Sequence, residues 1–136
     1  MKVIIPKTQK ELIDHFMVRG KVFIIGQQID WEIEFDGLDD QCVLFNAYID
    51  GNIAGAARLY HNKVGRLATL DTYRKKGVGT AIMKFIEQYA KEQGIDHLLL
   101  NAQLYVKDFY LHLGYVVQGE VFQEADIDHI KMSKKM

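Results

Sequence analysis

A short glycine-containing loop holds the residues of this chain that are best suited to chemistry. The loop is Arg74-Lys75-Lys76-Gly77-Val78-Gly79-Thr80, and it lies between an apolar run, residues 65–70, and an apolar-striped helix. Glycine takes positive φ and lets a backbone approach a ligand closely. A helix that begins in such a loop leaves N–H groups unpaired at the positive end of its dipole. The loop therefore predicts an anion site, with three cationic side chains beside it, that suits the pyrophosphate of a phosphorylated cofactor.

Other interpretations of this loop are a plain turn with solvated lysines and a different nucleotide-binding motif. A Walker A loop needs Gly-x-x-x-x-Gly-Lys-Ser/Thr, which is absent from the sequence. The dinucleotide fingerprint needs three glycines in an alternating βαβ frame, and that full pattern is absent as well. A phosphate-binding module for nucleotides, which ATP or NAD would stabilise, is therefore a minor hypothesis.

The composition predicts one ordinary globular domain over residues 1–136. Hydrophobic residues make up 49% of the chain and charged residues 26%, which supports a normal core and argues against disorder. The net charge of −1 argues against general binding of nucleic acid. Because no secretory signal and no membrane-spanning apolar run is visible, we expect a cytoplasmic protein that binds no membrane. The single Cys42 excludes an internal disulfide, and the histidines show no metal-ligand spacing.

The elements that must position this loop follow from hydrophobic periodicity and turn residues, in the order β-α-β-β-β-α-β-α-β-β. Thr8 and Glu11 predict a capping box on the first helix, which turns Leu12 and Phe16 inward. The acid-rich stretch 30–40 predicts a loop or a broken helix. The predicted strands are 3–5, 42–49, 53–60, 65–70, 97–101, 115–117 and 129–132. The pattern is typical of one mixed α/β domain.

Two further helices are predicted on either side of the fifth strand. The helix after the glycine loop pairs Glu87 with Lys91 on its wet side and ends at Gly94. Its apolar face comprises Val78, Ile82, Phe85, Ile86 and Tyr89. The next helix ends at Gly114, and its apolar face comprises Val106, Phe109, Tyr110 and Leu113.

The order of elements and two motifs resemble the GNAT superfamily of acetyl-CoA-dependent N-acetyltransferases. Arg74, Gly77 and Gly79 match that family's Arg/Gln-x-x-Gly-x-Gly/Ala motif at a strand-to-helix junction. Segment 109–115 is similar to its Phe-Tyr-x-x-Leu-Gly-Phe/Tyr element. Further matches to the small ElaA/YjcF-like branch are Arg19, Val22-Phe23, Glu34, Asp36, Asp39, Ala57-Arg58-Leu59 and Ala102-Gln103. The resemblance implies an α/β GNAT fold with a mixed, mostly antiparallel central sheet flanked by helices on both faces.

The resemblance also implies an activity and its residues. The activity is transfer of an acetyl group from acetyl-CoA to a primary amine by direct attack in a ternary complex, without a metal. The strand before the loop splays from its neighbour, its free backbone groups pair with pantetheine, and one N–H polarises the thioester carbonyl. Tyr110 is the implied general acid for the CoA thiolate, unless it is only a core tyrosine. The implied cofactor-binding residues are Leu67, Ala68, Thr69, Leu70, Arg74, Lys75, Lys76, Gly77, Val78, Gly79, Thr80 and Gln103.

The acceptor side has two interpretations. The acids of stretch 30–40, Glu34 and Asp36 among them, attract a cationic amine or form a solvated loop. Arg58 holds an anionic group of the acceptor or ends a strand. Gly26 and Leu44 depart from the ElaA/YjcF-like pattern, which motivates a non-catalytic acyl-CoA-binding or sensing domain as the alternative function. Small-molecule and peptide amines both remain open as acceptors, and the resemblance allows a homodimer.

Overall fold

Apolar runs separated by turn residues form an eight-stranded sheet in the computed structural model, which describes residues 1–136. The strands are β1 (Lys2–Ile4), β2 (Cys42–Ile49), β3 (Asn52–Tyr60), β4 (Lys63–Thr69), β5 (His97–Gln103), β6 (Val116–Val117), β7 (Phe122–Glu124) and β8 (Ile127–Lys135). The helices are α1 (Gln9–Arg19), α2 (Trp31–Glu34), α3 (Val78–Glu92) and α4 (Lys107–His112), and a π-helical segment, Gly20–Gly26, extends α1. None of these helices is both long and apolar enough to cross a bilayer.

The sheet is antiparallel except at one place. Its strand order is β1-β2-β3-β4-β5-β8-β6, with β7 paired to β8. Only β4 and β5 run parallel, and they pair at two positions, Lys63 with Leu99 and Val64 with Leu100. The predicted mixed, mostly antiparallel sheet is therefore confirmed, and its single parallel pair is short.

Helices cover the two faces of the sheet. Helix α3 packs on the face that holds Phe45, and the rings of Phe85 and Tyr89 each meet the Phe45 ring edge-on, with centroids 5.8 Å away. Helix α1 packs on the opposite face, where Val18 contacts a small cluster that includes Ala56. Alternation along the strands separates the two sets of side chains.

Local signals located most elements correctly. Strand β2 has the predicted bounds, and Thr8 with Glu11 forms the predicted capping box. The acid-rich stretch holds only the short α2 and a turn at Asp39–Gln41, as a broken helix would. The segment before the last strand was predicted as a loop but contains β7, which pairs with β8.

Two predictions about helix faces are wrong. Helix α1 buries Asp14, His15, Val18 and Arg19, while Leu12 is partly exposed, because polar groups of the sheet lie beneath it. Glu87 does not pair with Lys91. It accepts hydrogen bonds from the hydroxyl of Tyr115 at 2.8 Å and from Nζ of Lys134 at 3.0 Å, so a tertiary contact replaces the local one.

The close packing of α3 on β3 depends on Gly55. A Cβ at Gly55 would lie 2.6 Å from Cγ1 of Val78 and 2.9 Å from the carbonyl oxygen of Ala68. We therefore expect Gly55→Ala to lower the free energy of unfolding by about 1–3 kcal/mol in urea denaturation. Gly20→Ala is the matched control, because Gly20 has helical φ and an added Cβ meets no atom within 4 Å. It should raise stability by about 0.5–1 kcal/mol, and equal effects of the two changes would contradict the packing argument.

Candidate active site

The parting of β4 from β5 opens a large cavity in the protein. A β-bulge places Arg66 at φ 56° and shifts the register against β3 between Ala56 and Arg58. Bulges bend a strand and increase its twist. Beyond Val64 and Leu100 the two parallel strands no longer pair. The opening forms a cavity of about 1010 Å³, the size of a site for a sizeable organic ligand.

Strand β4 presents unpaired backbone groups to this opening. The N–H of Leu70 donates to the carbonyl of Ala54 on β3 at 2.9 Å. Successive residues of a strand direct their backbone groups to opposite sides. The N–H groups of Leu67 and Thr69 therefore point away from β3, toward the side where β5 has moved off. These donors have no strand partner, and an extended ligand could pair with them.

The glycine loop closes one end of the cavity with a set of free N–H groups. Lys75 and Gly77 both have left-handed backbone conformations, with φ of 62° and 81°. No backbone N–H from Lys75 to Thr80 donates a hydrogen bond within the protein, and the first bond of α3 runs from Ala81 to the carbonyl of Gly77. Such a set of converging donors at a helix N-terminus binds anions. The backbone thus has free donors where the sequence predicted an anion site, and binding of an anion there stays a prediction.

Most of the predicted cofactor-binding residues line the cavity, and two do not. The lining includes Leu67, Ala68, Thr69, Arg74, Lys75, Gly77, Val78, Gly79, Thr80 and Gln103. Leu70 lies outside it because its N–H turns to β3. Lys76 also lies outside it, and its ammonium rests 5.9 Å above the centre of the Tyr73 ring. The side chain of Lys76 is therefore not a wall of the cavity.

Tyr110 joins the cavity through α4. Its ring is buried and meets the rings of Phe109 and Tyr115 edge-on. Its hydroxyl makes no hydrogen bond in the protein, yet no buried polar side-chain atom lacks a partner, so the hydroxyl oxygen must be open to the cavity that Tyr110 lines. Burial raises the pKa of Tyr110 well above its usual value. The site therefore holds a protonated phenol with its donor free.

Gln103 belongs to an amide pair across the cavity mouth. Its Nε2 donates to Oε1 of Gln27 at 2.8 Å, and Nε2 of Gln27 donates back to Oε1 of Gln103 at 2.9 Å. The hydroxyl of Tyr105 lies 3.4 Å from the same Gln27 nitrogen. Gln103 is thus engaged with the segment that follows α1, a contact over 76 residues that no local pattern could have indicated.

The predicted acceptor residues line the cavity but are held by one another. Arg58 donates to both oxygens of Asp36, at 2.9 and 2.7 Å, and these bonds hold the pKa of Asp36 well below its usual range. Nε of Arg19 donates to Oε2 of Glu34 at 2.7 Å, and Arg66 lies 3.1 Å from the same oxygen. The acids are therefore neither a solvated loop nor free carboxylates. The prediction did not include Arg19 and Arg66, since only the fold brings them to these acids.

The charge network continues beneath α1 to a buried histidine. Arg19 also donates to Oδ1 of Asp39 at 2.7 Å and lies 3.1 Å from Nε2 of His15. Nδ1 of His15 lies 3.1 Å from Oδ1 of Asn46, so we assign a neutral ring that donates from Nδ1 and accepts at Nε2. Burial lowers the pKa of His15 to about 4, and the neighbouring Arg19 charge adds to the shift.

Sequence reasoning missed one part of the cavity wall. Glu124, Ala125 and His129, from the β7–β8 hairpin, line the cavity near Gln103, which is paired with His129. Gly26 and Leu44, where the chain departs from the branch pattern, are not part of the lining. No three His, Cys, Asp or Glu side chains come together in the arrangement of a metal site.

Comparisons with known proteins agree on one family. The profile of a family described as the acetyltransferase (GNAT) domain matches residues 11–136. An uncharacterized N-acetyltransferase of Bacillus subtilis, YjcF, is 35% identical over 98% of this chain and 99% of its own. The crystal structure of an acyl-CoA N-acyltransferase from Pseudomonas aeruginosa has 28% identity and a TM-score of 0.87 over 98% of this chain and 99% of that one. Escherichia coli ElaA has the same fold, with 22% identity and a TM-score of 0.84 over 98% and 97%.

The buried His15 predicts how stability depends on pH. The folded protein keeps His15 neutral to about pH 4, whereas the unfolded chain takes up a proton near pH 6.5. Protonation therefore favours the unfolded chain, and the free energy of unfolding should fall by about 3 kcal/mol from this group as pH drops from 6.5 to 4. His15→Gln, which cannot take up this proton, should flatten that part of the urea-denaturation profile. His97→Gln at the exposed His97 should leave it unchanged, and parallel profiles for all three proteins would contradict the assignment.

Proposed function

Because the chain belongs to the acetyltransferase (GNAT) domain family, we propose that it acetylates a primary amine by direct attack on acetyl-CoA within a ternary complex. Membership makes the protein an acyltransferase and confirms the family that the sequence motifs indicated. The choice of acetyl-CoA, the direct mechanism and the amine acceptor are the proposal. The name of the Pseudomonas aeruginosa relative, an acyl-CoA N-acyltransferase, supports an acyl-CoA donor.

The observation that carries the proposal is the cavity between β4 and β5 with free backbone donors along one wall. The N–H groups of Lys75 to Thr80 suit a pyrophosphate at the loop end. Along the unpaired edge of β4, the N–H of Thr69 would bind the pantetheine arm and the N–H of Leu67 would bind the thioester carbonyl. A donor fixed at that carbonyl stabilises the oxyanion of the transition state, which contributes about 3 kcal/mol in comparable enzymes.

Direct attack fits the residues that face the cavity better than an acyl-enzyme does. No serine or cysteine lines it. The thiol of Cys42 donates to the carbonyl of Leu38 at 3.2 Å outside the lining, and burial raises its pKa, so it is a poor nucleophile. The protein then acts by aligning amine and thioester and by moving protons. Tyr110 is protonated and has no partner in the protein, which supports its proposed role as the acid that gives a proton to the departing thiolate.

The alternative function, a non-catalytic acyl-CoA sensor, loses its main support. It was based on Gly26 and Leu44, and neither lines the cavity. The acceptor stays open between a small-molecule amine and a peptide amine. The paired acids Glu34 and Asp36 are no longer our first choice for recognising it, because arginines already hold them.

Binding of acetyl-CoA is the first test. At one hundred times its Kd the ligand should stabilise the protein by about 2.7 kcal/mol in thermal unfolding. S-acetylpantetheine, which has the same acyl arm and no pyrophosphate, should produce a much smaller shift at equal concentration, because the loop donors then stay empty. ATP and NAD are controls for a general phosphate effect. An equal shift with acetyl-CoA and S-acetylpantetheine would refute the role of the loop.

Removal of one hydroxyl tests the role of Tyr110. Tyr110→Phe should lower kcat for thiol release by about 10²-fold or more, with the Kd for acetyl-CoA unchanged. Its stability should stay close to that of the wild type, because the hydroxyl has no partner in the protein. Tyr89→Phe is the control. Tyr89 packs against Phe45 outside the cavity, so this variant should keep full kcat. Full activity of Tyr110→Phe would refute the catalytic role of Tyr110 and leave it a role in packing alone.

A further inference from the structure

One pair of basic groups that lines the cavity, Glu124 and His129, forms no ion pair with lysine or arginine. Among its lining carboxylates, Glu34 and Asp36 are in ion pairs with arginines. Glu124 has no lysine or arginine partner, and its one contact with a basic side chain is 3.7 Å from Oε2 to Nε2 of His129. His129 is also the only imidazole that lines the cavity. The pair Glu124 and His129 is therefore the remaining proton acceptor of this site.

The ring of His129 is fixed with one nitrogen turned to the cavity. Nδ1 lies 2.7 Å from the carbonyl oxygen of Ile127, which can only accept, so Nδ1 carries the proton. The ring stacks on Phe122 with centroids 5.9 Å apart. Nε2 makes no hydrogen bond, and because no buried polar side-chain atom lacks a partner, Nε2 must be open to solvent in the cavity. The ring is thus fixed by Ile127 and Phe122, and the lone pair of Nε2 faces the cavity.

The register of the strands places His129 level with the thioester end of the cleft. The last paired positions of β4 and β5 are Val64 and Leu100. Three residues further along each strand are Leu67, whose N–H faces the opening, and Gln103. Gln103 is paired with His129 on β8, so their side chains share one face of the sheet about 5 Å apart. His129 therefore lies on β8, one strand beyond β5, across the cleft from the N–H of Leu67 and the thioester carbonyl expected there.

The hairpin that carries this pair is held in a strained turn. Ala125 and Asp126 both have positive φ, 53° and 60°, although neither is glycine. A two-residue turn of this type normally contains glycine or asparagine. The turn joins Glu124 to Ile127, and these two residues supply the oxygens that lie near the ring nitrogens of His129. Non-glycine residues in this conformation are costly and concentrate at functional sites.

We propose that His129 is the catalytic base that accepts a proton from the attacking amine, an inference that rests on the proposed function. As the amine nitrogen forms its bond to the thioester carbon, one N–H proton passes to Nε2. The C–S bond then breaks with its electron pair on sulfur, and Tyr110 supplies the proton that makes the thiol. His129 then releases its extra proton to solvent, and Tyr110 takes one up from solvent. The Glu124 carboxylate, 3.7 Å from Nε2, stabilises the imidazolium that forms.

A labelling experiment tests the placement without turnover. Diethyl pyrocarbonate, read by peptide mass spectrometry, should modify His129 in the free protein. The thioether S-(N-methylcarbamoylmethyl)-CoA, which places an amide N–H where the amine attacks, should protect His129 at least tenfold. CoA alone should not protect it, because it ends short of that position. His112 is the internal control, since it is exposed and has the same Nδ1 contact to a backbone carbonyl. Protection by both ligands, or by neither, would overturn the proposal.

A rate experiment tests the chemistry with methylamine as the probe acceptor. His129→Asn keeps an N–H for the carbonyl of Ile127 but lacks the second nitrogen. It should lower methylamine-dependent thiol release by about 10²–10⁴-fold, with the KM for acetyl-CoA unchanged. His112→Asn should match the wild type. Wild-type rates in His129→Asn would overturn the proposal.

Calorimetry with acetyl-CoA separates the two hypotheses. Absence of binding would refute the proposed function itself. Normal binding with an unprotected His129 would refute only the role of His129, and the labelling result decides this even where methylamine is not accepted.

Discussion

The parting of one parallel strand pair is the constraint on which the rest of this structure depends. A sheet normally uses every backbone donor and acceptor in its interior. Here β4 and β5 pair at two positions and then separate, so that unpaired groups of β4 face a large cavity in the middle of the sheet. The bulge at Arg66 makes the separation possible, and the antiparallel strands on either side keep both walls rigid. The proposed acyl-CoA ligand would complete this pairing.

A buried charge network ties the segment around α2 to the wall of this cavity. Arg19, Arg58 and Arg66 meet Glu34, Asp36 and Asp39, so that the charges balance, and each carboxylate accepts from at least one guanidinium. Burial of charge is tolerated only with such pairing. The network joins α1, the α2 region, β3 and β4, which ties the segment around α2 to the bulged strand. The network therefore fixes the geometry of this wall, and the proton transfers that we propose use Tyr110 and His129, which lie outside it.

The two walls of the cavity thus differ in chemistry. The β4 side supplies backbone donors with fixed positions, and the β5 side supplies Tyr110 of α4 and the β7–β8 hairpin with its open imidazole. Backbone donors suit the cofactor because every CoA molecule presents the same phosphates and amides. Side chains on a short hairpin suit the proposed acceptor side, since a loop tolerates changes of sequence that a sheet does not.

The sequence by itself determined whatever depends on neighbouring residues. The strand at Cys42–Ile49, the cap at Thr8, the glycine loop and the family motifs are local patterns, and the structure has them where they were predicted. The tertiary structure decided which polar groups meet. The sequence suggested that Glu34 and Asp36 were free acids, because Arg19 and Arg66 are distant in sequence. It also paired Glu87 with Lys91, whereas in the structure Glu87 bonds to Tyr115. His129 carried no signal until β8 paired with β5 and turned its ring to the cavity. Periodicity encodes local geometry, whereas the state of an ionisable group depends on neighbours that only folding brings together.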